Sequence, residues 1–242
     1  MRLLSAGIGA LGLLGCARVI THIPDAQPVP LFQKQGELRV AASYQPGKGV
    51  NAAVDLALGK HLAMLAGGAF AEHDNCFSCS KEVTRHFELG IGAFEKMGSG
   101  GNVGEVYFGL GIGSFKTSAS DGSWDPQLQD ITVSAGSYNE AFLQADFGRN
   151  KTVCDLAASM RLSGFRYYDF GKWDGAGAAL FAPSEHWGLF LEPAFTFRVG
   201  YKHLKAENQI GVSLPLYQAS GMQNQRLWLT IGVSMSAIAQ GH

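Results

Sequence analysis

The chain has 242 residues and a formal net charge of −1, which gives no reason to expect a polyanionic partner such as nucleic acid. Charged residues make up 16% of it, short of the ~25–35% that suits a water-facing surface. Beyond residue 16 no apolar run reaches the ~20 residues of a membrane-spanning helix, so any bilayer crossing has to be made by strands.

The chain begins with Arg2 and then an apolar and small run over 3–15 that stops at Cys16. A basic start followed by a short apolar core marks a secretory signal. Leu13-Leu14-Gly15-Cys16 is similar to the lipobox of bacterial lipoproteins, in which the signal is cut before the cysteine and the cysteine is acylated. The expectation is a signal peptide over 1–15, a tether over 16–31 lipidated at Cys16, and a β-barrel domain over 32–242. An ordinary signal peptide with an incidental cysteine is the alternative. Pro24, Pro28 and Pro30 favour an extended tether.

Period-two alternation then predicts strands over 36–44, 49–58, 61–71, 84–97, 103–117, 137–149, 152–168, 186–201, 204–216 and 225–239. Most are as long as the ~9–11 residues that a tilted strand needs to cross a bilayer. Tight connections at 59–60, 98–102, 150–151 and 201–203 alternate with longer ones at 72–83, 118–136, 169–185 and 217–224. Short turns at one end and long loops at the other are the asymmetry of outer-membrane barrels. The predicted fold is all-β: a closed antiparallel up-and-down barrel of about ten strands, within a range of eight to twelve. The tether is expected on the side of the tight turns.

Each strand has one apolar and one polar face. Val106, Phe108, Leu110 and Ile112 oppose Glu105, Tyr107, Gly109 and Gly111; Leu189, Leu191, Phe195 and Phe197 oppose Glu192, Ala194, Thr196 and Arg198. The polar face is mostly small residues with single charges, which suits a crowded lumen. The apolar face then meets lipid. The inward polar set comprises Glu37, Arg39, Asp55, Glu88, Glu105, Glu140, Asp155, Arg161, Glu192 and Arg198. Both signs share one narrow space, so Arg–carboxylate pairing is expected. The opposite orientation gives a lipocalin-like carrier with an apolar cavity. Tyr44, Phe70, Phe87, Phe147, Tyr167, Trp187, Tyr201 and Trp228 lie near strand ends and are expected to form interfacial girdles.

Chemical motifs are few. Cys76 and Cys79, with His73 nearby, read as a loop disulfide, as metal ligands with His86 as a further candidate, or as free or redox-active thiols. The glycine-rich runs at 90–92 and 109–113 lie inside strands with no helix to follow, so they are not phosphate loops.

Three stretches carry a resemblance: Pro28-Val29-Pro30-Leu31-Phe32-Gln33-Lys34-Gln35-Gly36-Glu37, Asn51-Ala52-Ala53-Val54-Asp55-Leu56-Ala57 and His86-Phe87-Glu88-Leu89-Gly90-Ile91-Gly92. Over about residues 13–115 the chain resembles small, uncharacterised Bacteroidetes lipoproteins with an outer-membrane-type β-barrel. That resemblance implies architecture and no activity. The expectation is a non-enzymatic outer-membrane lipoprotein with no cofactor. It is held by lipid through acylated Cys16 and its wall, and has a structural role or binds a protein or small molecule through its long loops. A lipid-anchored periplasmic carrier of an apolar ligand is the alternative. A barrel-embedded lipid hydrolase is a second alternative, for which the sequence offers no nucleophile–base pair.

Overall fold

A computed structural model of the chain describes residues 22, 24–46, 48–75, 80–98, 100–120, 131–174, 176–219 and 224–238. Its strands are β1 (Glu37–Gln45), β2 (Gly49–Ala57), β3 (Leu62–Asn75), β4 (Ser80–Met97), β5 (Asn102–Ser120), β6 (Ile131–Arg149), β7 (Cys154–Asp174), β8 (Ala179–Tyr201), β9 (Leu204–Val212), β10 (Leu214–Gln218) and β11 (Leu227–Ile238). Every pairing among them is antiparallel, and β1 joins β11, which in turn joins β9. Strand β9 also lies against β8, so the sheet has no open seam.

Strands β9 and β10 occupy a single position in that ring. Both pair with β8, Gly211 opposite Ala194 and Leu214 opposite Leu191. The segment expected as one strand over 204–216 is divided at Ser213. There the backbone N–H turns to the Arg226 carbonyl (2.8 Å) and the hydroxyl donates to Glu192 in the lumen (3.0 Å). The result is a closed barrel of ten strand positions.

The wall is uneven. Strands β1, β2 and β9 are nine residues long. Strands β4 to β8 run from 18 to 23 residues. Much of what reads as long loops in the sequence is strand instead. β3 continues to Asn75, β5 to Ser120 and β7 to Asp174, each zipped to its neighbour. The physical reason is that ladder hydrogen bonds come from the backbone, so alternation of Lys, Glu, Ser and Thr sustains a hairpin as well as apolar alternation does. The tip over 121–130 lies outside the described residues.

The largest departure from expectation concerns residues 24–33. They do not form a free tether. Val29, Leu31 and Phe32 are fully buried, and Gln27 nearly so. The segment is an extended strap that runs down the barrel axis. It starts at His22, which bridges to Asn224 ahead of β11 at the loop end. It finishes at Gln33, whose side-chain amide donates to the Asn150 carbonyl at the short-turn end (2.9 Å). The prolines keep it extended, and its polar groups find partners on the wall. Glu105 accepts the N–H groups of Leu31 (3.1 Å) and Phe32 (2.8 Å), and Asn150 donates to the Leu31 carbonyl (3.0 Å). These bonds hold Leu31 at φ 58°, a conformation that costs a non-glycine residue ~1–3 kcal/mol. Gly36, at φ 81°, then reverses the chain into β1, its N–H bonded to the Ala57 carbonyl (2.9 Å).

Along its length the strap divides the lumen into layers. Phe32 packs with Ala57, Ala63, Leu65, Phe94, Tyr107 and Phe142. Val29 and Leu31 pack with Val103 and Ala157. Toward the loop end, Phe115, Tyr138, Phe165, Tyr167, Phe170 and Phe190 form an aromatic cluster, on which the His22 ring stacks 4.1 Å from Phe190. Charged side chains fill the space between these clusters.

Candidate functional site

The barrel presents two contrasting surfaces, its outer wall and its filled lumen. The outer wall is apolar. Phe108, Leu110, Ile112, Phe195 and Ile231 are all about half exposed, Ile112 at 61% and Phe195 at 47%. They sit on the outside of a closed sheet, and none of them is part of an enclosed interior. On β4 the outward residues between Arg85 and Glu95 are Phe87, Leu89, Ile91 and Ala93. On β6 those between Asn139 and Arg149 are Ala141, Leu143, Ala145 and Phe147. The polar markers stand ten residues apart on both strands. At ~3.3 Å per residue and a tilt of about 40°, that separation is a band about 25 Å tall, the height of the lipid-facing belt of membrane barrels.

Tyr44, Phe70, Phe87, Phe147, Trp187 and Tyr201 face outward on this wall. Tyr167 and Trp228 do not: both are buried in the lumen. Strand parity is the reason. Tyr167 shares its face with Phe165, and Trp228 shares its face with Thr230.

Inside, Arg39, Asp55, Glu88, Glu105, Glu140, Asp155, Arg161, Glu192 and Arg198 are all buried, while Glu37 is half-buried at the rim and accepts the Gln33 N–H (2.8 Å). The buried charges fall into linked groups. Arg39 bridges Asp55 (2.7 Å) and Glu207 (2.5 Å), and Arg198 shares Glu207 (2.7 Å) and donates to the Val29 carbonyl of the strap. Lys205 meets Asp155 (2.6 Å). Arg161 grips Glu88 with two donors (2.7 and 3.1 Å), donates to Gln144 (2.6 Å) and lies over the Phe142 ring. Gln144 in turn donates to the Pro28 carbonyl (2.6 Å). Glu192 takes His22 (3.0 Å), Ser213 (3.0 Å) and Ser163 (3.2 Å). Gln209 and Gln27 exchange two hydrogen bonds, of 2.8 and 3.0 Å, in the manner of a strand pair.

A further group gathers round His86. Lys48 pairs with Asp25 of the strap (2.5 Å), and the far oxygen of Asp25 lies 3.9 Å from His86 Nε2. Glu140 and Glu88 approach the same nitrogen to 3.4 and 3.6 Å, and Tyr138 Oη contacts Nδ1 (3.1 Å).

Lys205, Glu207, Gln209, Gln144 and Asp146 complete these groups and stand outside the inward set read from sequence. Gln144 and Asp146 fall on the same face of β6 as Glu140 and could have been found by parity, whereas Lys205, Glu207 and Gln209 lie on β9, from which that set holds no residue. Asp25 and Lys48 had no such signal, since one lies on the strap and the other in the turn between β1 and β2. Cys16, Cys76 and Cys79 lie outside the described residues, as does the side chain of His73. Cys154 carries a free thiol at the start of β7.

Most of the charged side chains buried among the described residues are tied to a neighbouring or next-but-one strand, as Arg198 is to Glu207 and Lys205 to Asp155, while Arg161 reaches from β7 to Glu88 on β4, and Gln144 and Arg198 hold the strap. Ser163 and Ser213 both donate to Glu192 rather than to an imidazole. No protein-family model and no curated protein matches this chain. Among solved structures it is similar in fold to a major outer membrane protein from Thermus thermophilus, over 83% of this chain and 98% of that one, at 13% identity and a TM-score of 0.37. The chain's own strand pairing, and not that similarity, carries its assignment as a closed antiparallel β-barrel.

Proposed function

We propose that the chain is a sealed, non-enzymatic outer-membrane barrel lipoprotein, whose wall sits in lipid and whose tall hairpins between β3 and β8 present a structural or binding surface. The apolar band around a closed barrel carries this reading. Side chains of that size left in water over so wide a patch would drive association, whereas hydrocarbon accommodates them. The packed lumen supports a sealed barrel over a porin, since open channels belong to barrels of ~16–18 strands. It also counts against a carrier, whose cavity would need the apolar faces turned inward.

Acylation of Cys16 adds a second attachment. His22 follows Cys16 by six positions, which is at most about 22 Å of extended chain. His22 sits where the strap enters at the loop end. Acyl chains on Cys16 would therefore enter the leaflet on that side, and not the one beneath the short turns.

The test is fractionation of a Cys16→Ala variant made in a Gram-negative host. Its wall should keep it in the membrane fraction, released only by detergent. Recovery of that variant as a monomer in plain buffer would overturn the reading. Reconstituted protein should also leave planar bilayers electrically silent.

A further inference from the structure

We propose that His86, Glu88 and Glu140 form a binding site for one divalent transition-metal ion inside the barrel, with Asp25 of the strap closing its open side. Their ligand atoms lie within 4.8 Å of one another, and all three residues are buried. Distances separate this arrangement from an ordinary hydrogen-bonded cluster. A donor nitrogen that bonds a carboxylate sits ~2.7–3.2 Å from it. His86 Nε2 instead stands 3.4 Å from Glu140 and 3.6 Å from Glu88, and it has no hydrogen-bond partner despite its burial. Four ligands held tetrahedrally at ~2.0–2.2 Å from a metal lie about 3.3–3.6 Å from each other, the separation of His86 Nε2 from both Glu140 and Glu88, with Asp25 a little farther off at 3.9 Å.

Further features fit. Tyr138 Oη lies 3.1 Å from His86 Nδ1, so Nδ1–H can donate there and leave Nε2 with its lone pair facing the carboxylates. Arg161 holds Glu88 from behind, as outer partners of ligating carboxylates do. Glu140 makes its closest charged contact with His86. Asp25, Glu88 and Glu140 bring three negative charges against two cations, Lys48 and Arg161, so with a neutral His86 ring a metal ion at the centre supplies the balancing positive charge.

The backbone makes room for the site. Gly111 lies in register between Glu88 on β4 and Glu140 on β6. A Cβ at residue 111 would stand 2.9 Å from both Glu140 Oε2 and His86 Cε1. A cavity of about 20 Å³ beside Asp25, His86 and Glu88 has space for one water as a further ligand. One imidazole with carboxylates suits zinc or manganese better than calcium or magnesium.

The test is to refold the full chain into detergent with Zn²⁺, Mn²⁺, Ca²⁺ or Mg²⁺, or with chelator, then desalt and measure metal content. About one equivalent of Zn²⁺ or Mn²⁺ is expected, with a raised melting temperature relative to the chelator arm. Glu140→Gln keeps the shape and should lower affinity roughly tenfold or more, and Gly111→Ala should do the same. Cys76→Ser/Cys79→Ser should leave binding intact. X-ray absorption of the zinc-loaded wild type should show nitrogen and oxygen neighbours with one imidazole, a readout that stands even where a variant fails to fold. Folded wild type with no more Zn²⁺ or Mn²⁺ than the chelator arm, or a sulfur-ligated ion, would overturn the proposal. So would an NMR signature of a doubly protonated His86 ring in protein refolded with Zn²⁺.

Discussion

The two faces of one strand obey different rules. Along β5, Phe108, Leu110 and Ile112 face outward, while Glu105 holds the strap and Gly109 and Gly111 lie beneath side chains of the neighbouring strands β4 and β6. The outward face asks only that a side chain be apolar. The inward face sets identity residue by residue, because each charge must meet an opposite charge or hydrogen-bond donors and each gap must fit the group that fills it. Sequence patterning reports the first rule directly and the second only in part.

The sharpest way to test that contrast is to break a lumenal pair. Arg161→Met strands Glu88 and the Gln144 carbonyl in a dry interior, and should cost about 3–5 kcal/mol in urea unfolding from micelles. Next comes a charge on the wall. Leu110→Arg, in the middle of the band, should cost ~2–4 kcal/mol in lipid vesicles, and Tyr201→Arg at its edge only ~0–1 kcal/mol. Equal costs at the two positions would mean that the band is misplaced. Smaller again is crowding of the lumen: a Cβ at Gly109 would stand 2.2 Å from Phe142 Cζ, so Gly109→Ala should cost about 1–3 kcal/mol. Least is an apolar trim outside. Ile112→Val should stay within ~0.5 kcal/mol, because lipid takes up the vacated space.

How much of this is legible in the sequence follows from where the information lies. Strand positions, alternation and the outward turn of Phe195 and Ile231 come from a period-two pattern that a lipid-facing sheet enforces at every residue. Tyr167 and Trp228 read as girdle residues only when closeness to a strand end is weighed above parity. The strap is hidden for a different reason. Prolines give the same extended signal in a free linker and in a buried one, and only contacts distant in sequence, such as Gln27 with Gln209 or Leu31 with Glu105, distinguish them. The His86 cluster is hidden likewise, since its members come from β4, β6 and the strap, and the glycine that unites them reads in isolation as a flexible spot in a strand.

The strap also dictates an order of events. It precedes β1 in the chain, yet apart from Gln45 of β1 its hydrogen-bond and charge partners come mostly from the distant strands β4, β5, β6, β8 and β9, and the wall is sealed only when β11 meets β1. A finished cylinder packed this tightly offers no route by which a proline-stiffened segment could be threaded afterwards. The leading end must therefore be laid into a half-built sheet and trapped there as the last strand zips shut, much as a cord is laid in a seam before it is sewn.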